Sequence, residues 1–191
     1  NDAPTDGDET NSVTEDVTLT VADGAPGDLL NNASDLDGDA LTITGFTVAG
    51  EAGPFVVGTP YAIVGVGTVT INADGSYSFA PAPNYTGAIP AITYTVSDGT
   101  ATDTSTLQLS MVSQNDAPTD GDETNSVTED VTLTVANGAP GDLLNNATDI
   151  DGDALTITAF TVAGEAGPFT VGAPYAISGV GTVTINADGS F

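Results

Sequence analysis

The 191-residue sequence contains no lysine, arginine, histidine, cysteine or tryptophan. Against 27 Asp and Glu residues this leaves a formal charge of −27, and no side chain in the chain can pair with a carboxylate. Nucleic acid is excluded as a partner, because nothing here could neutralise a phosphate. Without cysteine there is neither a disulfide nor a thiolate metal site, and redox chemistry says nothing of the compartment. Without lysine there is no Lys–Asn isopeptide cross-link. Without His, Cys or Lys no Ser or Thr has an ordinary activating base. Paired carboxylates could serve a glycosidase only across a cleft, so no enzyme activity is expected. The segment has no apolar run long enough to span a membrane and no basic region of a signal peptide, so no membrane insertion is expected of it.

What the chain does have is turns, Thr–Val runs and two acidic triplets. Asp35, Asp37 and Asp39 alternate across a glycine in SDLDGDALTIT, and Asp149, Asp151 and Asp153 repeat the pattern in TDIDGDALTIT. Two ionised carboxylates roughly 4 to 5 Å apart repel by about 4 kcal/mol at an effective dielectric of about 20. Three in one loop, with no base in the chain, call for a cation. All-oxygen ligands suit calcium better than any soft metal, so Ca2+ is the expected cofactor. An EF-hand does not fit: the twelfth position counted from Asp35 is Phe46, not glutamate.

The chain is an internal repeat. Residues 115–191 match 1–77 except at 8 positions, an offset of 114. The expected organisation is one complete repeat over 1–114 and the N-terminal part of a second over 115–191. The second copy stops before counterparts of Ser78 to Ser113, so the 191 residues are expected to be a window on a longer array.

Within one copy, residues 1–11 read as acidic and turn-rich. VTLTV alternates Val17, Leu19 and Val21 inward against outward Thr, which is a half-buried first strand. Leu29 and Leu30 start a short second strand running into the aspartate loop. Leu41 and Ile43 share one phase while Phe46 and Val48 share the other, which places a bulge near Gly45. Residues 50–60 form a Gly- and Pro-rich loop. Val69 and Ile71 face inward up to a hairpin turn at Asp74–Gly75, and Tyr77 and Phe79 return. Tyr85 packs over the end of the domain. Ile92, Tyr94 and Val96 follow at period two, and Leu107, Leu109 and Met111 close the unit. Roughly seven strands separated by Gly, Pro and Asp turns predict an all-β antiparallel sandwich.

The succession TED, DLDGDALTIT, NADGSYSF, TYTVSDG and a Thr-rich strand closing in QNDAP resembles the bacterial cadherin-like and Ig-like tandem repeats of giant RTX-type adhesins. The likeness covers 1–114 and all of the second copy present. It implies calcium held between successive domains by a glutamate near the start of one, the Asn–Asp linker, and the DxD loop of the next. Carried over by position, it implies Glu15, Asp16, Asn115, Asp116, Asp149 and Asp151 at the central linker. Asn1, Asp2, Asp35, Asp37 and Asp98, with Glu129 and Asp130, would be the halves facing other neighbours, and Asp39 and Asp153 would bind within their own loops. The paired acids that cadherins carry in mid-domain are missing, with only Asp74 nearby.

The resemblance implies a calcium-stiffened, non-catalytic spacer of a surface adhesin or matrix filament, extracellular or at the cell surface. Its partners would be neighbouring repeats of the same chain and, in a fibre or matrix, other copies. The alternative is a module that itself binds a polysaccharide or surface glycan through residues 50–60.

Overall fold

The structure, a computed structural model, describes residues 1–191 and contains twelve strands and no helix. It divides into two units, Asn1–Gln114 and Asn115–Phe191.

In the first unit the strands are β1 (Glu9–Thr14), β2 (Leu19–Val21), β3 (Thr42–Val48), β4 (Tyr61–Ile63), β5 (Gly67–Ile71), β6 (Tyr77–Pro81), β7 (Ile92–Ser97) and β8 (Thr102–Val112). They form two four-stranded sheets, β1-β8-β7-β3 and β2-β6-β5-β4. Only the β1–β8 pairing is parallel. Alternation explains the layering: in β7 Ile92, Tyr94 and Val96 turn inward, and in β8 Leu107 and Leu109 do the same. Phe46, Ile71, Tyr77 and Phe79 meet them in one buried cluster. Burial of large aromatic and branched side chains is the main stabilising term of such a sandwich.

Several sequence expectations hold in detail. The phase change in β3 is a register shift between Ile43 and Gly45. The turn between β5 and β6 is a three-residue loop, with Asn72 N–H bonded to Ser76 C=O and Gly75 at φ 92°. Tyr85 packs against the core, and its hydroxyl donates to the Ala88 carbonyl at 2.7 Å.

Others are corrected. Residues 9–11, expected to be turn-rich, instead open strand β1 (Glu9–Thr14), because the parallel β8 offers a ladder that local composition does not reveal. Val17 is 55% exposed, since it lies in the turn after β1 and only Leu19–Val21 join a sheet. Leu29 and Leu30 lie in a turn held by the Asp28 carboxylate, whose oxygens accept from Gly24 N–H at 2.5 Å and Leu30 N–H at 2.9 Å. Leu29 is nevertheless fully buried and Leu41 only partly so. β4 is an addition, which brings the unit to eight strands.

The second unit holds β9 (Ala159–Phe160), β10 (Phe169–Thr170), β11 (Tyr175–Ile177) and β12 (Gly181–Val183), as two two-stranded sheets. Its residues correspond to 1–77, so no counterparts of β7 and β8 are present for its β1- and β3-like segments to pair with. Val127 shows the consequence: it is 71% exposed, whereas Val13 at the same position of the first unit is 0% exposed.

Candidate metal centre

The aspartate loop of the first unit is organised by Asp35. Its Oδ1 accepts from Asp37 N–H at 2.9 Å and Asp39 N–H at 3.2 Å, wrapping the chain round the carboxylate. Gly38 takes φ 79°, which a side chain would resist, and this lets the loop reverse between the second and third aspartates. One ligand oxygen from each of Asp35, Asp37 and Asp39 falls within 4.8 Å of the others. Asp35 Oδ2 is buried and has no hydrogen-bond donor. A buried carboxylate oxygen without a donor is costly, and among neighbouring carboxylates a cation is the group that would satisfy it.

The N-terminal segment is pinned against this loop. Thr5 and Ser34 exchange backbone hydrogen bonds of 2.8 Å, and their hydroxyls lie 3.0 Å apart. Upstream, Asp2 N–H donates to Asp37 Oδ2 at 2.5 Å, and Asn1 Nδ2 donates to Asp98 Oδ2 at 2.8 Å. Asp98 sits in the turn between β7 and β8, where its Oδ1 accepts from Thr100 and Ala101 N–H, each at 2.6 Å. The N–H groups of Ala101 and Thr100, then the Asn1 amide, hold its carboxyl below the usual value. Asn1, Asp2, Asp35, Asp37, Asp39 and Asp98 thus form one linked group at one end of the unit.

The second unit repeats the part of this group that its sequence contains. Asp149 Oδ1 accepts from Asp151 N–H at 3.0 Å and Asp153 N–H at 3.2 Å, and Gly152 takes φ 80°. Thr119 and Thr148 exchange backbone bonds of 2.8 Å. Asp116 N–H donates to Asp151 Oδ2 at 2.6 Å, and Asn115 Nδ2 donates to the Asp116 carbonyl at 2.8 Å.

Glu15 and Asp16 stand at the other end of the first unit. Glu15 is 2% exposed, its N–H donates to the Val112 carbonyl, and its Oε2 accepts from Gln114 N–H at 2.8 Å. Asp16 takes φ 58° and its Oδ1 accepts from Asn84 N–H at 2.9 Å. The eleven residues of β8 run between these two ends, a span of roughly 35 Å at about 3.3 Å per residue. Glu129 and Asp130 are exposed; Asp130 keeps the φ of Asp16, at 61°, but Glu129 has no counterpart of Val112 or Gln114 to bury it. Asp74 is taken up by its own turn, accepting from Ser76 N–H at 3.1 Å and Ser76 Oγ at 2.6 Å.

A second group of acids went unnoticed in the sequence. Glu9, only 6% exposed, accepts from Asn32 Nδ2 at 2.6 Å through Oε1 and from the buried Tyr94 hydroxyl through Oε2. The Tyr94 hydroxyl also lies 3.2 Å from the Leu29 carbonyl and 3.3 Å from that of Gly7. Both carboxylate oxygens of Asp6 are shut off from solvent, and Asp6 N–H donates to Asp103 Oδ2 at 3.0 Å. Burial pushes the Glu9 carboxyl from 4.5 up to about 7, and burial likewise raises Asp6. The one sequence signal was alternation, because Glu9 shares the inward phase of Val13.

In the loop proposed for glycan recognition, Phe55 stacks on Tyr61, the first residue of β4, with ring centroids 3.6 Å apart. Each covers a face of the other.

Comparison with known proteins gives two family matches. The model described as a bacterial cadherin-like domain matches residues 1–113, and that described as a bacterial Ig domain matches 115–191. No curated protein matches the chain. Among solved structures, it is similar to an endo-fucoidan hydrolase, MfFcnA4 from glycoside hydrolase family 107, at 19% identity and TM-score 0.32, covering 59% of this chain and 14% of that one. The H294Q form of that hydrolase gives 19% identity and TM-score 0.38, covering 83% and 21%. The chain therefore spans about a fifth or less of those proteins, and likeness at this level carries no argument about activity.

Proposed function

Because the chain belongs to the bacterial cadherin-like domain family, we propose that it is a spacer of a bacterial surface adhesin or matrix filament, with calcium stiffening each junction between repeats. Domains of the cadherin-like and Ig families are generally non-enzymatic and extracellular or surface-borne, and no helix is long and apolar enough to cross a membrane. The observation that carries the reading is the duplicated head group. In both copies the Asn–Asp pair is held to the DxDGD loop by the same backbone bond, Asp2 to Asp37 and Asp116 to Asp151.

In this reading Asn115, Asp116, Asp149 and Asp151 complete a cation site with Glu15 and Asp16. Support comes from the trailing end of the first unit, where Glu15 is fastened to Gln114, two residues before Asp116. Asn1, Asp2, Asp35, Asp37 and Asp98 would form the head of the first unit toward a preceding repeat. Glu129 and Asp130 would serve a following one. Asp39 and Asp153 would close the loop round the ion. Oxygen donors in flexible loops suit calcium, and extracellular modules of this kind bind at roughly 10⁻⁴ to 10⁻³ M.

Isothermal titration of the chain with calcium, in a chelator-stripped buffer at about 0.15 M salt, tests the proposal. Saturable binding in that range, weakened at least tenfold in Asp149→Asn/Asp151→Asn, supports it. Heats that match magnesium and vanish with added salt would mean that the carboxylates only gather a diffuse ion cloud.

A further inference from the structure

We infer that Asp6, Glu9 and Tyr94 form a proton-operated latch, which fastens residues 5–9 to the sandwich while the Glu9 carboxyl is protonated and loosens them once it ionises. This does not rest on the calcium reading. Residues 5–9 lead from the Asn1–Asp2 pair into β1, and a series of hydrogen bonds attaches them. Thr5 exchanges backbone bonds with Ser34, and Asp6 N–H donates to Asp103 Oδ2. Gly7 N–H donates to Asn32 Oδ1 at 3.0 Å, and Asp8 Oδ1 accepts from Thr106 N–H at 2.9 Å. Glu9 closes the set. Asn32, which holds Gly7, also donates to Glu9, and Tyr94, whose hydroxyl lies 3.3 Å from the Gly7 carbonyl, reaches Glu9 from β7.

A count of donors shows what a proton does here. The Tyr94 hydroxyl carries one hydrogen, and four acceptors surround it: Glu9 Oε2, the carbonyls of Gly7 and Leu29, and the Asp6 carboxylate. With both acids ionised, that hydrogen must serve all four. Glu9 then faces the charges of Asp6 and Asp8, and Asp6 faces that of Asp103. Ser105 reaches Asp6 from β8, Tyr77 on β6 feels the charge of Glu9, and no packed element brings a basic side chain, since the chain has none. A proton on Glu9 removes one buried charge and adds a second donor: Glu9 donates to the Tyr94 oxygen, and the tyrosine hydrogen turns to a carbonyl. Burial favours that form, and the Glu9 carboxyl is accordingly raised to about 7. The fastening is therefore complete below pH 4.5 and is lost as the pH climbs to about 7. Above that pH, opening the segment returns the buried charge to water without unfolding the sandwich.

The test is amide exchange by NMR on the isotope-labelled 191-residue chain, with chelator and about 0.15 M salt, corrected at each pH for the intrinsic rate. In the wild type, protection of the Thr5, Asp6, Gly7 and Thr106 amides should stay below that of the hydrogen-bonded β6 amides at every pH. It should fall roughly 30-fold from pH 5.5 to 8, the change implied by a carboxyl that moves from 4.5 to about 7 on closure. Glu9→Gln, which cannot ionise, should flatten the fall and keep Thr106 protected at pH 8. Asp6→Asn, which keeps Glu9 but removes a neighbouring charge, should lessen it, and serves as the second variant should Glu9→Gln fail to fold. Flat protection in the wild type, a fall in either folded variant equal to that of the wild type, or latch amides exchanging as slowly as those of β6 would each overturn the proposal.

Discussion

Replacing Glu9 by Gln should stabilise the first unit at pH 8 and leave it nearly unchanged at pH 4.5. Glu9 lies among Tyr94, Asn32, Asp6 and Asp8, with no basic side chain anywhere to compensate its charge. Burial, followed by the charges of Asp6 and Asp8, lifts its carboxyl from 4.5 to about 7 against the opposing hydrogen bonds of Tyr94 and Asn32. A raised carboxyl favours the protonated folded state. Its contribution is therefore complete below pH 4.5 and is lost as the pH climbs to about 7. At about 1.4 kcal/mol per pH unit the loss approaches 3 kcal/mol. Gln keeps one acceptor for Asn32, and the Tyr94 hydroxyl retains the Leu29 carbonyl 3.2 Å away. The variant should thus exceed the wild type by about 1 to 3 kcal/mol at pH 8. Asp6 is raised too and stays in the variant, so some slope will remain. The assay is urea unfolding followed by tyrosine fluorescence, since Tyr61, Tyr77, Tyr85 and Tyr94 lie in the first unit and only Tyr175 in the second. Subtracting one protein from the other cancels the general relief of self-repulsion in acid. A difference between the two proteins that is flat from pH 4.5 to 8, or a variant less stable at pH 8, would refute the reasoning.

Phe79→Ala removes a fully buried ring and should cost about 3 to 5 kcal/mol, read as a lower urea midpoint of the tyrosine transition. Gly75→Ala should cost more than the roughly 1 kcal/mol of a positive-φ alanine, because the new Cβ runs into the Asp28 carboxylate; melting temperature is the readout. Asp149→Asn/Asp151→Asn should leave the β circular-dichroism spectrum intact, as both carboxylates lie in a loop outside the core, and collapse of that spectrum would show the loop to be integral to folding. Glycan arrays probed with the chain should show no saturable binding, and a specific glycan hit abolished by Tyr61→Ala would favour the adhesive alternative.

The sandwich was legible where a strand's partner is local or its period strong. Ile92, Tyr94 and Val96 alternate cleanly, and the β3 bulge shows as a phase change at Gly45. Strand β1 was not legible, because ETNSVT gains its structure from a parallel partner about 98 residues away. Leu29 misled for a related reason: it is buried by the turn that Asp28 caps, so its burial has no periodicity to read. At the candidate site the DxDGD loop and the Asn–Asp pair were legible as motifs. The Asp6–Glu9–Tyr94 group was not, since residues 6–9 look like any acidic turn until β7 brings a tyrosine beneath them. Asp28 and Asp142 escaped notice likewise, as carboxylates that satisfy backbone N–H groups carry no sequence signature beyond their type.

Small-angle X-ray scattering of the 191-residue chain, with about 5 mM calcium and again with excess chelator, bears most directly on the spacer reading. Pro118 already restricts the linker by fixing its own φ and pressing Ala117 toward an extended form, and ligands from both sides of Asn115 would remove the freedom that remains. The account predicts a sharper profile and a defined maximum dimension with calcium, a broadened one with chelator, and no calcium response in Asp149→Asn/Asp151→Asn. Superimposable wild-type profiles in the two solutions would contradict calcium stiffening.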